Sequence, residues 1–485
     1  MKYKVSRDPI YSEIFISPLE KVIIDTKPMQ RLRLLSQLVG AEMVYPGASH
    51  TRFAHSLGTM HIAGLYASHL FPKDKAKIRI LRIAALVHDI GHGPFSHQFD
   101  DVVYPMAGME GGHDEYRDRI ILQLLPHHVE ESFKKITDPD KREEVLSDLK
   151  ETVGDFKDFK SGISALLEKV VEVFKGEEEG TVEFNIVQGP LGADRIDFIL
   201  RDSYSSGTRT FGTGAPDRII RNSLVVESGG KKVLCYMAKV MDDIYTALFG
   251  RFMMYKNVYF HKTSRAADLM IQQVLRYAYK PLKLEERVKD LESFIELTDS
   301  TIIEEIKVLY RQIRSKGNST EEDKDVIKAH QILERLLKRD LWKVVLEMPF
   351  SIEGIDPALV SKSLASETLE KMKNKIRQVL NGDHDKEDEE ILKEMLENFE
   401  EMFVVDTPYK LTLVHPDEFI QSHVLIYNGE DVMDFEEYVK RYPAYRLMTN
   451  NLIQILRIYA TKDVRHILSK YEIIPKERIR MVTRW

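Results

Sequence analysis

Hydrophobic positions recur at helical spacing through most of the chain. From Asp74 to His88, Ile80, Ile83, Ala84 and Val87 fall three and four apart and make one apolar face. Glu183–Ile199, Val240–Ala278, Asp323–Val345 and Leu447–Ser469 carry the same period and are predicted as helices. Strand-like pieces are few: Lys232–Cys235, Lys410–Val414 and His423–Tyr427. The pattern predicts a mainly α protein with a small mixed region near the C-terminus. Charged runs at Lys175–Gly180, Lys316–Asp325 and Asn381–Glu390 read as solvated loops or helix faces. No repeat with a period of about 20–50 residues is present.

Composition narrows the class. At about 100–200 residues per domain, 485 residues suggest two to four domains. With 43% hydrophobic and 30% charged residues, the chain is an ordered soluble type and not a disordered one. The formal net charge of −7 gives no support for bulk nucleic-acid binding. Cys235 stands alone, so no intrachain disulfide forms, and a reducing cytoplasm is the expected compartment. No apolar run approaches the roughly 18 residues needed to span a membrane, and the start lacks the apolar core of a secretory signal.

Candidate chemistry concentrates in one stretch. Ten of the sixteen histidines lie between His50 and His128. Imidazole is the commonest metal ligand and titrates near neutrality. The sharpest element is His88-Asp89, at the end of an apolar helix and followed by Gly91 and Gly93, which would permit a turn. Adjacent helical side chains diverge by about 100°, but at a bent helix end both can face one ion. His55 and Asp194 are candidates for the remaining ligands. Taken singly, His55 and His88 fit hydrogen-bonded core histidines, and Asp194 fits a partner of Arg195 or Arg201. Taken together they are hard to explain as packing. Two imidazoles and two carboxylates suit Fe, Mn, Zn, Co or Ni without choosing among them.

The spacing His55…His88-Asp89…Asp194 resembles the signature of the HD-domain metal-dependent phosphohydrolases. The words Tyr45 to Gly58, His88 to Asp100 and Asp194 to Asp202 closely resemble one branch, the deoxynucleoside triphosphate triphosphohydrolases related to the human SAM-and-HD-domain enzyme. The likeness runs from about Tyr3 to Tyr471, strongest to Ala278, and the SAM domain has no counterpart. It implies a helical HD core at 1–280, an acidic helical extension at 281–400 and a small α+β lobe at 401–485.

The resemblance also implies roles. The family cleaves between the 5′ oxygen and the α-phosphorus, giving a deoxynucleoside and inorganic triphosphate. His55, His88, Asp89 and Asp194 match the metal ligands, with Mg expected on the nucleotide phosphates. His113 matches the general acid and Asp100 the carboxylate that orients it. His92 and His97 match histidines that contact phosphate or stand behind the ligands. Arg52, Arg195 and Arg251 match phosphate-binding residues. Gln37 and Asp202 match groups that bond the sugar 3′ hydroxyl, and Tyr259 matches the ring under the sugar. Three positions depart from the family pattern: Phe198 where Tyr is usual, Gly192, and Asp114 where Glu is usual.

Lys4, Val5, Asp25, Gln30 and Arg33 match the family's guanine-nucleotide activator site, and Arg218, Lys239, His261 and Lys262 an adjoining one that lacks a basic residue at Met237. Read alone, Asp25 is an ordinary helix N-cap. The family pattern implies activation by GTP or dGTP and a homo-oligomer, dimer or tetramer. Two other readings use the same residues: an HD-type phosphodiesterase or nuclease on nucleic acid, which should show a basic groove with stacking aromatics, and a non-catalytic nucleotide sensor.

Overall fold

The computed structural model describes residues 4–212, 216–315, 320–350, 357–406, 424–442 and 454–474. It is mainly helical, with three small sheets. A hairpin of β1 (Lys4–Asp8) and β2 (Ser12–Ile16) leads into the helical core. Four strands form a second sheet: β3 (Ser223–Ser228), β4 (Lys231–Met237), β7 (Leu425–Tyr427) and β8 (Val432–Asp434). β5 (Lys343–Phe350), β9 (Gln454–Ala460) and β6 (Val404–Asp406) form an antiparallel third. The C-terminal strands are thus shared out. β7 pairs in parallel with β4, placing Leu425 opposite Cys235, while β9 runs between β5 and β6.

The helix at Lys75–Val87 forms where the apolar period predicts it. The Asp74 carboxylate accepts from the Lys77 N–H at 2.9 Å and caps its start. Its buried face, including Leu81, Ile83, Ala84 and Val87, packs on the Arg52–Leu70 helix, which brings Met60, Ala63 and Tyr66 to the same core. Burying each such aliphatic side chain contributes about 1.5–3 kcal/mol. One apolar cluster extends from Ile14 to Leu341 and takes in Ile426, Met433 and Tyr459. A second, from Val345 to Ile474, lies around β5 and β9.

Several predicted helices end sooner than the period suggested. Glu183–Ile199 is two helices, Val182–Val187 and Ala193–Ser205, separated where Gly189, Pro190 and Gly192 interrupt the chain. Val240–Ala278 breaks at Phe260-His261, between a π-helical turn at Tyr255–Tyr259 and the Lys262–Ala278 helix. Val345 lies in β5, beyond the end of the Glu321–Leu337 helix. Leu447–Ser469 holds β9 followed by the Lys462–Lys470 helix, because the run Ile455–Tyr459 pairs with strands on both sides. The strand expectations at Lys232–Cys235 and His423–Tyr427 fall on β4 and β7, and Lys410–Val414 lies outside the described residues.

Candidate active site

Two glycines bring the site together by having no side chain. A Cβ on Gly58 would stand 1.8 Å from an Asp197 oxygen, so the Ala193–Ser205 helix reaches His55 only because residue 58 is bare. A Cβ on Gly91 would stand 2.0 Å from the His113 carbonyl, so the Gly112–Arg119 helix closes over the His-Asp turn for the same reason. Neither Gly91 nor Gly93 has a positive φ. That conformation falls instead on Phe95 (60°) and Ser96 (55°). The glycines here serve close approach and not backbone freedom.

The four predicted metal ligands converge. His55 Nε2 lies 3.2 Å from His88 Nε2 and 3.0 Å from Asp194 Oδ1. His88 Nε2 lies 3.3 Å from Asp89 Oδ1 and 3.5 Å from Asp194 Oδ1. Each ring faces outward through its other nitrogen: His55 Nδ1 sits 2.8 Å from Asp197 Oδ2, and His88 Nδ1 sits 2.8 Å from the Ala85 carbonyl. Those oxygens only accept, so they hold the N–H on Nδ1 and leave the Nε2 lone pairs facing each other. Two lone pairs and two carboxylates at this range require positive charge between them, and the donor set fits a divalent cation. His55 shows the same demand. Burial would lower its pKa, yet Asp194, Asp197 and Asp89 lift it to about 10.

Asp197 was not singled out from the sequence, although it stands three residues after Asp194 on the same helical face. It is fully buried and takes Arg201 Nε at 2.9 Å and the Tyr11 hydroxyl at 2.8 Å. Arg201 therefore pairs with Asp197 and Asp8, not with Asp194.

A second His-Asp cluster adjoins the first. The Nδ1 atoms of His92, His97 and His113 stand 3.1, 3.2 and 3.0 Å from one oxygen of Asp100. The His92 and His113 rings stack with centroids 3.8 Å apart. Their environments drive them apart in charge. Burial, Arg52 and His113 push His92 down to about 4, so it is neutral. Burial also opposes charge on His113, but Asp100 and then Asp114 outweigh it and raise its pKa above 6.5. Asp100 stays well below the usual carboxylate range despite burial, because His92 and His113 face it. His92 Nε2 lies 3.4 Å from Asp89 Oδ1 and joins the two clusters.

Both clusters open into a cavity of about 330 Å³, within the range of small-molecule sites. Gln37, Arg52, His97, Arg195, Asp202, Arg251 and Tyr259 all line it. Arg52 is buried, donating from Nε to Ser96 Oγ and from Nη1 to Asp89 Oδ2, both at 2.7 Å. Its Nη2 and the Gln37 Oε1 are buried with no protein partner. Arg195 donates to the Gln188 carbonyl, and Arg251 lies 5.5 Å from the Tyr255 ring centroid. Tyr259 donates its hydroxyl to Asp202 at 2.6 Å, and His50, outside the predicted set, contacts the other Asp202 oxygen at 2.7 Å. Phe198 lines the same wall, and Asp114 accepts from Arg117 at 2.5 Å. Gly192 is the N-cap of the Asp194 helix. A larger open groove of about 770 Å³, between His69, Lys77, Glu183 and Lys231, is lined by none of these residues.

The residues matched to activator sites lie on other elements. Lys4 and Val5 are exposed on β1. Asp25 closes the Pro18–Ile24 helix and accepts from Lys21, while Thr26 is the N-cap of the next helix, so Asp25 is not an N-cap. Gln30 accepts from Arg33 at 2.9 Å, and the Arg33 guanidinium lies over Phe53. Arg218 pairs with Asp243 at 2.8 Å and reaches the Lys239 carbonyl at 3.4 Å. His261 is buried and accepts from the Thr263 N–H. Burial and then Lys262 push it down to about 4, so it carries no positive charge at neutral pH. Lys262 follows it at the start of the helix, where its carbonyl accepts from the Tyr459 hydroxyl.

Residues 52–171 match the HD domain, and residues 239–466 match the HD associated region. The chain therefore carries an HD domain followed by an HD associated region. It is 32% identical over 320 residues to an uncharacterized protein of Methanocaldococcus jannaschii, covering 64% of this chain and 59% of that one. It is 30% identical to the deoxynucleoside triphosphate triphosphohydrolase SAMHD1 of Danio rerio, covering 70% and 55%, and 28% identical to that of Homo sapiens, covering 71% and 55%. The chain thus spans a little over half the length of these relatives. A phosphohydrolase structure from Bacteroides thetaiotaomicron shares the fold with a TM-score of 0.64 at 21% identity, covering 95% of this chain and 100% of that one. Among the described residues no helix is long and apolar enough to cross a membrane.

Proposed function

We propose that this protein hydrolyses deoxynucleoside triphosphates to a deoxynucleoside and inorganic triphosphate. The observation that carries the reading is the His113–Asp100 pair beside the His55, His88, Asp89 and Asp194 cluster, in a cavity whose lining includes Arg52, Arg195 and Arg251. The SAMHD1 relatives support the substrate class.

Arg52, Arg195 and Arg251 bind the triphosphate by charge-assisted hydrogen bonds. Gln37 and Asp202 hold the sugar 3′ hydroxyl. The Tyr259 ring packs under the sugar, where a 2′ hydroxyl would clash. Water attacks the α-phosphorus as its bond to the 5′ oxygen breaks, His113 delivers its proton to that departing oxygen, and Asp100 raises the pKa of the imidazole. Neutral His92 stands between Asp100 and Asp89. His55, His88, Asp89 and Asp194 would hold a divalent cation, which would supply Lewis acidity for the phosphate chemistry. Its donor set admits Fe, Mn, Zn, Co or Ni, and Mg accompanies the phosphates. We extend the reading to a cytoplasmic homo-oligomer activated by GTP or dGTP. Lys4, Val5, Asp25, Gln30 and Arg33 would hold one activator nucleotide, and Arg218, Lys239, His261 and Lys262 the next.

The test is a product assay. The metal-loaded protein is incubated with each dNTP and NTP, with and without GTP, and phosphates are resolved by phosphorus NMR. Tripolyphosphate with deoxynucleoside is the expected outcome. Pyrophosphate or orthophosphate would overturn the reaction while retaining the metal site. No product from any nucleotide would favour a nuclease or a sensor.

A further inference from the structure

The strained turn beside the site is held by a carboxylate from outside the HD domain. Phe95 and Ser96 both have positive φ, at 60° and 55°, a strained conformation that persists only where its surroundings enforce it. Asp299, the first residue of the Asp299–Ser315 helix, supplies the enforcement. Its Oδ1 accepts the Phe95 N–H at 2.7 Å, and its Oδ2 accepts the Ser36 N–H at 2.9 Å. The two segments it grips are also joined directly, since Ser96 Oγ donates to the Ser36 carbonyl at 2.5 Å. That same Ser96 Oγ accepts Arg52 Nε at 2.7 Å. Arg52 closes the ring, because its backbone N–H donates to the Leu35 carbonyl at 3.1 Å. The guanidinium is thereby fixed with Nη2 buried and free of protein partners.

We propose that Asp299 is a positioning residue that sets Arg52 for an anionic ligand by clamping the Ser36 and Phe95–Ser96 segments together. The proposal depends on the triphosphohydrolase reading only for naming that anion as a triphosphate. Asp299 acts through Arg52 and touches neither the predicted metal ligands nor His113.

The experiment measures binding of magnesium tripolyphosphate to the metal-loaded full chain by calorimetry, with metal content followed alongside. Asp299→Asn keeps size but replaces one acceptor with a donor that faces an N–H. It is expected to weaken binding about tenfold, as loss of supporting hydrogen bonds around a site does, with metal content unchanged. Asp299→Glu keeps both acceptors and should recover part of the loss. In an Arg52→Ala background, Asp299→Asn should change binding less than twofold. The proposal is overturned by wild-type affinity in Asp299→Asn, by a full tenfold loss persisting without Arg52, by loss of metal together with affinity, or by wild-type protein that does not bind tripolyphosphate. Wild-type protein that binds it and passes the Arg52 comparison, yet releases none from any dNTP, would support the clamp and sink the triphosphohydrolase reading.

Discussion

The two His-Asp clusters use the same residue types for opposite ends. In the first, His55 and His88 turn Nδ1 outward to Asp197 and the Ala85 carbonyl, so the Nε2 lone pairs converge. In the second, three Nδ1 atoms converge on a single Asp100 oxygen. Convergent lone pairs call for a cation. Nδ1 atoms that bond a carboxylate, as those of His97 and His113 do here, keep their protons. What separates the two clusters here is which ring nitrogen faces inward, and for His55 and His88 that is set by the groups behind the ring.

The comparison breaks most visibly at Asp89. Asp89→Asn should remove metal, read by elemental analysis, and take turnover to background, because one carboxylate ligand is lost and Arg52 loses its partner. His113→Ala should separate the two readouts. Metal content should persist while turnover falls by roughly 10²–10⁴, the usual worth of a positioned acid. Equal metal loss in both variants would mean that the two clusters are one site. Asp197→Asn should weaken metal affinity by about 10–100-fold, measured by competition with a chelator, because the His55 Nδ1–H loses its charged acceptor.

The mildest test is a pH profile. The folded pKa of His113 is raised, so its proton is present below that value and lost as pH rises through it. Turnover should therefore fall on the alkaline side with a midpoint above 6.5. Asp100→Asn removes the chief raising influence and should move that limb to lower pH. The same sign applies to stability. The His113–Asp100 attraction contributes fully below the unfolded value and fades through the folded one. An alkaline limb unmoved in Asp100→Asn would assign it to another group.

Much of the site was legible because its parts sit in short, dense words. His88-Asp89 ends an apolar helix, and Asp194 opens another. Asp299 was not legible. It lies 203 positions after Ser96, in a segment whose pattern reads as an ordinary amphipathic helix, and only packing brings it to that turn. His50 was inside a quoted word yet without a role, since nothing local shows that it faces Asp202. Secondary structure failed where pairing partners were remote. Ile455–Tyr459 has an apolar run that suits a helix or a strand, and its neighbours β5 and β6 decide for strand.

The sequence by itself determined the helical character, the ligand types and the residues that crowd the site, because periodicity and residue chemistry are local properties. Only the tertiary structure decided which imidazole nitrogen points inward, which carboxylate pairs with which cation, and that Gly58 and Gly91 are there for close approach. Those outcomes depend on distances of a few tenths of an ångström between segments far apart in the chain, which only the packed fold fixes.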